Sequence, residues 1–308
     1  VRLGGSNFFT KSLVTGQFVL SIGLIVSTLI ILQQIKFMRS KNPGFDRENV
    51  VVVDASDTDT KRVFPLFKQA ALAHPEVMGV AGSELGIGAG EGWSRSGWED
   101  NGTHREVYEY FVDSEFLGVM KMQLLAGRNF EPGNSLDTVS SVVINERMMR
   151  DFGWTLENAV GQQLLGYYDA PQKPLPTVIG VVKNFHFRPM KEEVGPQMFH
   201  QFADYAPYKY FVRLQPGDPG TALAALKLDW EKVESELPFK YSFLDDNLNR
   251  FYKSEARLGK IVLWAGGISI FLACLGLLGL AALAVVNRMK EIGIRKVLGA
   301  SVAGITGL

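Results

Sequence analysis

Between Lys260 and Arg288 the chain carries no charged residue: from Ile261 to Asn287 it reads IVLWAGGISIFLACLGLLGLAALAVVN. A helix rises 1.5 Å per residue, so about twenty apolar residues match the ~30 Å hydrocarbon core of a bilayer. This run is long enough to cross with tilt. A buried helix of a soluble protein is the competing reading, and the length argues against it. Gly266, Gly267, Ala273, Gly276 and Gly279 would let a second helix approach closely. A second uncharged stretch, Leu13 to Leu32, is also long enough to span. Its polar members Gln17, Ser21, Ser27 and Thr28 can bond back within the helix or face a neighbour. A signal peptide is the alternative there, but the run is longer than a typical signal core and lacks a small-x-small cleavage site.

Two spans place both ends of the chain on one side of the membrane. Arg288, Lys290, Arg295 and Lys296 follow the second span and orient that side as cytoplasmic, leaving the intervening domain outside. The 32 basic and 32 acidic residues balance, which gives no electrostatic footprint for nucleic acid. A single cysteine, Cys274, excludes an intrachain disulfide framework and a cysteine zinc site. The opening at Val1 and the Gly- and Ala-rich end at Leu308 read as cut points in a longer protein.

The stretch between the spans reads as mixed α and β. Gln33–Lys41 prolongs the first helix to Asn42-Pro43-Gly44. The Val run from Asn49 is expected to be a buried strand, followed by a helix over 60–73 and a strand at Val77–Ser83. Strand, helix and strand recur at Tyr208–Leu214, Pro219–Glu236 and Lys240–Leu244, and a helix from Asp246 is expected to run into the second span. Two β-α-β halves separated by an insertion point to a split ferredoxin-like lobe. Strands at Val107–Val112, Ser141–Asn145 and Thr177–Val182 make the insertion a strand-rich second lobe. The expected fold class is therefore an α+β extracytoplasmic domain flanked by two transmembrane α-helices. Its segments are a cytoplasmic linker (1–12), a transmembrane helix (13–35) and a core domain (36–250). Within the core, residues 45–100 with 206–250 form the β-α-β lobe and 101–205 the inserted lobe. A stalk and transmembrane helix (251–287) and a cytoplasmic segment entering the next span (288–308) complete the order.

No phosphate-cradling G-x-x-x-x-G-K-[ST] motif occurs, nor a G-x-S-x-G or H-E-x-x-H motif. The run Gly86, Gly88, Gly90, Gly92 lacks the context of a nucleotide loop and reads as a mobile surface loop, with Trp93 and Trp98 as a contact surface. His74, His104, His186 and His200 form no ligand-spaced pair, and the Asn184-Phe185-His186-Phe187 stretch reads as a packed loop. Asp245 and Asp246 suit a helix N-terminus. No catalytic residue, metal site or cofactor is expected.

The most informative segment is EIGIRKVLGAS, Glu291–Ser301, directly after the second span. Ile294, Val297 and Leu298 share one helix face, and Glu291 lies one turn before Arg295. Together with the Gly-rich span it resembles the signature of FtsX/MacB-type ABC permeases. NPGFDRENVVVV, LLAGRNF (124–130), VVINERMMRDFGW (142–154) and GVVKNFHFRPM (180–190) resemble the MacB-like periplasmic core domain in the same order.

The resemblance implies a bacterial inner-membrane permease with a two-lobed periplasmic domain. Its partners would be an ABC ATPase subunit, a second permease half or second copy, and a periplasmic protein. Glu291–Ser301 would be the coupling helix, with Arg295 and Lys296 meeting the ATPase beside Glu291 and with Ile294 and Leu298 as apolar anchor. Gly266, Gly267, Gly276 and Gly279 would pack helices. A duplicated, eight-span protein of which this is the second half is one expectation. A membrane sensor whose outer domain binds a ligand or partner is the alternative function, and a tethered enzyme has little support.

Overall fold

The computed structural model describes residues 6–100, 102–167, 174–201 and 207–298. The chain divides into two units, residues 1–37 with 252–308 and residues 38–251.

The first unit is a pair of long helices, α1 (Ser6–Ser40) and a C-terminal helix, Lys253–Val297. Each contains a stretch long and apolar enough to cross a membrane, Thr15–Met38 and Ala256–Ala282. Most apolar side chains on these stretches face outward, including Leu20, Ile22, Leu29, Trp264, Phe271 and Leu278. A helix apolar on all sides is at home in lipid.

The second unit is built on one ten-stranded sheet. In chain order its elements are β1 (Val50–Asp54), α2 (Thr60–Ala71), β2 (Val77–Ser83), β3 (Ser94–Asp100) and β4 (Thr103–Val112). Then follow α3 (Phe116–Val119), β5 (Leu124–Gly127), α4 (Ser135–Val139), β6 (Ser141–Asn145), α5 (Glu146–Asp151) and β7 (Thr177–Val182). The last are β8 (Gln197–Gln201), β9 (Lys209–Leu214), α6 (Gly220–Val233), β10 (Tyr241–Phe243) and α7 (Leu244–Asn249); the C-terminal helix is α8. The strand order is β10-β1-β9-β2-β4-β8-β6-β7-β5, with β3 paired to β4. Its first four strands are wholly antiparallel and arise from the two β-α-β units, which is the split ferredoxin-like arrangement. The inserted strands continue the same sheet through β4, which meets β2 at the Ser83–Val112 pair and runs parallel to β8.

The Val run of β1 is explained by burial on both faces. Val51 and Val53 join Phe67, Trp230 and Tyr210 beneath α2 and α6, whereas Val50 and Val52 join Phe116, Phe185, Phe199 and Phe211 on the opposite face. A strand covered on both sides reads as continuous apolar sequence instead of alternating. A third cluster, with Trp98, Ile144, Met148 and Val181, fills the inserted part.

Three expectations are corrected. The glycine loop is not loose: Ile87 and Gly88 are buried, and the Ala89 N–H donates to the Asn247 carbonyl at 3.0 Å. Trp98 is a core residue packed edge-on against Tyr167, because its strand turns that face inward, while Trp93 is exposed. The helix beginning near Asp246 does not run unbroken into α8, since a 3-10 turn at Arg250–Tyr252 intervenes. There the Asn247 side chain accepts from Arg250 and donates to Ser242, so the helical ladder gives way to local side-chain bonds.

Candidate functional site

Along α8 the less exposed of the described positions include Gly259, Val262, Gly266, Ser269, Ala273, Gly276 and Leu280, spaced alternately by three and four residues. On α1 the matching positions are Gln17, Ser21, Leu24, Thr28, Ile31 and Ile35. This is the heptad seam of two antiparallel helices. Small residues on α8 receive larger ones from α1: a Cβ on Gly259 would lie 3.7 Å from Ile31 and Leu32, and one on Gly266 would lie 3.9 Å from Leu24 Cβ.

The centre of the seam is polar. Ser21 and Ser269 share a hydrogen bond of 2.7 Å, Gln17 Nε2 donates to the Ser269 carbonyl at 3.3 Å, and Ser21 and Thr28 bond back to the carbonyls of Gln17 and Leu24. In hydrocarbon such groups have no water to turn to, so pairing them fixes the register of the two helices. Of the four glycines expected at helix contacts, Gly266 faces α1 and Gly276 is half-buried, while Gly267 and Gly279 face open space.

Helix α8 continues past its apolar stretch as far as Val297, and the Leu298 N–H still donates to the Ile294 carbonyl at 3.1 Å. Met289, Gly293, Ile294, Val297 and Leu298 line an open apolar hollow on this end. Ile294, Val297 and Leu298 are 63%, 89% and 80% exposed, an apolar strip uncovered among the described residues, on a helix that also carries charge. The side chains of Glu291, Arg295 and Lys296, and Ser301 itself, lie outside the described residues.

In the sheet domain the stretches singled out from sequence prove to be structural joints. Asn145, fully buried, uses all four of its hydrogen-bonding positions. Its Oδ1 accepts from the N–H groups of Met148 and Gln197, at 2.8 and 3.0 Å, and its Nδ2 donates to Gly195 O and Gln197 Oε1. It thereby caps α5 and ties β6 to the start of β8. Next to it, Glu146 accepts from the Asn184 N–H and Asn184 Oδ1 accepts from the Arg147 N–H.

The 183–187 loop held this way reaches back to the Asn-Pro-Gly turn. His186 N–H donates to the Pro43 carbonyl at 2.6 Å, and Gly44, at φ +96°, sits so close that a Cβ would fall 2.3 Å from the Asn184 carbonyl oxygen. Arg128 grips the fully buried Asp137 carboxylate with two bonds of 2.7 and 2.8 Å, which holds that carboxyl down at about 2.

The remaining titratable clusters are also structural. Lys68 Nζ bridges Asp113 and Glu115, each at 2.8 Å, and burial pushes Asp113 up to about 7. Burial likewise lowers His200 to about 4, leaving a neutral ring stacked on Phe111 near the Glu109–Tyr167 bond. Asp229 binds His74, joining α6 to the turn after α2; Asp245 and Asp246 lie in the first turn of α7, as expected, and Asp245 also pairs with Arg47. Among the described residues no group of three or more His, Cys, Asp or Glu is placed to hold a metal ion.

The profile of the MacB-like periplasmic core domain matches residues 18–232. With two candidate membrane helices flanking a mixed α+β sheet, this defines the class: a transport component of the ABC permease type, arranged as an inner-membrane protein. The chain belongs to the family of MacB-like periplasmic core domains. Solved structures similar to it include the periplasmic region of MacB from Actinobacillus actinomycetemcomitans, at 12% identity and TM-score 0.47, covering 66% of this chain and 92% of that one. A permease-protein domain from Porphyromonas gingivalis matches at 18% and 0.44, over 65% and 92% of the two chains. The extracellular domain of the noncanonic ABC-type transporter YknZ from Gram-positive bacteria matches at 14% and 0.44, over 63% and 98%. No curated protein matches the chain.

The Asn184–Phe187 stretch, read from sequence as a packed loop, is one, with Phe185 and Phe187 buried; the segment around Asn145 was singled out only for its family resemblance. Sequence reading missed Arg213, Leu24 and Ser269. The alternating three-and-four spacing from Gly259 to Leu280 was the available signal for the helix seam.

Proposed function

We propose that this chain is the permease part of an ABC transporter that carries motion driven by a partner ATPase to its periplasmic domain. ATP hydrolysis resides on that separate subunit, and the chain itself does no chemistry. The supporting observation is the apolar strip of Ile294, Val297 and Leu298, exposed at the end of α8 in a segment that also bears Glu291, Arg295 and Lys296. Such a surface suits a protein partner better than water, with apolar anchors in its centre and charge at its rim. Docking there would move α8, and the seam with α1 would make the two helices respond together. The permease works as a pair, with a second half or a second copy supplying the other side. Its substrate is expelled from the periplasm or extracted from the outer leaflet, without a route through this chain.

The test is co-purification from solubilised membranes followed by mass spectrometry. Recovery of an ABC ATPase with the parent protein, lost in the Arg295→Glu/Lys296→Glu variant, supports the reading. An ATPase retained with unchanged activity in that variant removes the assignment of the contact, and recovery of no ATPase removes the transporter reading.

A further inference from the structure

The sheet domain has a cavity of about 690 Å³, within the range of small-ligand sites, between residues 41–48 on one wall and Lys121, Gln123, Lys183 and Asn184 on the other. Its walls are joined by the His186–Pro43 hydrogen bond and by the close fit of Gly44 on Asn184, so the positions of the lining residues are set. Four basic side chains face two acidic ones around it. Lys121 is engaged by Asp46 at 2.7 Å, and Arg47 by Asp245 at 3.1 Å. Asp46 is also held by Arg213, at 3.2 Å. Lys41 and Lys183 are exposed and, among the described residues, have no acidic partner, which leaves the cavity a surplus of positive charge. Glu48, exposed, is the opposing charge. The Lys41 charge acts on the loop beside the cavity, where it adds to burial in lowering the pKa of His186.

Covalent distance fixes the depth at which Lys41 lies. Lys41 is three residues beyond Met38, the end of the apolar span, and therefore within about 10 Å of it in any chain conformation. That is the headgroup layer, where lysines meet lipid phosphates. We propose that this cavity binds the phosphate of an anionic phospholipid headgroup, held by Lys41 and Lys183. The site goes beyond the transport reading and does not rest on an ATPase partner.

The test uses the 308-residue chain in detergent, incubated with equal amounts of phosphatidylglycerol and phosphatidylcholine and examined for retained lipid by native mass spectrometry. The parent protein is expected to retain phosphatidylglycerol preferentially. Lys41→Ala/Lys183→Ala should lower that preference about tenfold, whereas Lys61→Ala/Lys227→Ala, which removes two lysines elsewhere on the domain, should leave it intact. Inorganic phosphate is titrated in parallel by calorimetry. Equal lipid preference in the parent and the Lys41/Lys183 variant would overturn the proposal. Lysine-dependent binding of inorganic phosphate without preference for phosphatidylglycerol would overturn it as well, and would assign the cavity to a soluble anion.

Discussion

Arg213 Nη2 donates a 2.7 Å hydrogen bond to the backbone carbonyl of Asp46, bringing β9 together with the segment that enters the domain. The same buried guanidinium donates to the carbonyls of Glu48, at 3.0 Å, and Val119, at 2.5 Å, and pairs with the Asp46 carboxylate at 3.2 Å. One side chain thus satisfies three backbone acceptors near two residues with positive φ, Asn49 and Lys121. Arg213→Ala would strand these acceptors, at a cost of about 3 kcal/mol. Hydrogen exchange should show faster opening of residues 46–50 in that variant. Unchanged protection there would mean that the arginine is dispensable to the entry segment.

The helix seam can be tested covalently. A Cβ at Gly266 would stand 3.9 Å from Leu24 Cβ, inside the range a disulfide needs. In a Cys274→Ala background, Leu24→Cys/Gly266→Cys should cross-link on mild oxidation. Leu20→Cys/Gly267→Cys, with both positions facing outward, should not. The reverse pattern would refute the register. Ser21→Ala and Ser269→Ala should each lower the thermal stability of the detergent-solubilised chain modestly, by about 0.6 kcal/mol, and less than additively when combined.

Acid sensitivity should have a component at Asp137. Its folded pKa of about 2 lies below the ordinary 3.8 because Arg128 binds the charged form first and foremost, helped by the Glu131 N–H and Ser141. A depressed carboxylate contributes stability above the unfolded pKa and loses it as pH falls through the folded one. The contribution should therefore be complete above about pH 4 and fade toward pH 2. Asp137→Asn should cost about 2 kcal/mol at neutral pH and flatten the acid limb of a denaturation curve measured against pH. An acid limb identical in parent and variant would show that the pair does not control it.

Gly44→Ala should be among the most damaging small substitutions in the domain. It combines a φ of +96° with a Cβ placed 2.3 Å from the Asn184 carbonyl oxygen, so both backbone strain and a clash with fixed backbone oppose it. Gly267→Ala, which meets nothing within 4 Å, should be neutral by the same thermal-unfolding assay. Equal stability of the two variants would contradict the tight joint between the 42–45 turn and the 183–187 loop.

Much of the architecture was legible because it rests on local pattern. Ser141–Asn145 and Thr177–Val182 are strands at the limits read from sequence, since dense β-branched runs leave few alternatives. β3, with its Ser-Arg-Ser-Gly-Trp-Glu-Asp sequence, was missed because it is a strand by virtue of its pairing with β4. β8 was missed for a related reason: Gln197 and His200 are polar residues buried within the sheet. Within the candidate site, periodicity marked the apolar face of Ile294, Val297 and Leu298, but glycine content alone could not separate Gly266 from Gly267.

Sequence by itself determined the two apolar spans, the mixed α+β domain between them and the family resemblance, because hydropathy and strand periodicity are properties of neighbouring residues. Tertiary structure alone decided which α8 residues meet α1, and that Asn145, Asp137 and Arg213 are joints. It also brought Lys41 and Lys183 to one cavity. Those roles depend on partners up to 252 residues distant, as in the Gln17–Ser269 bond, and a local pattern carries no record of which distant groups the chain will bring together.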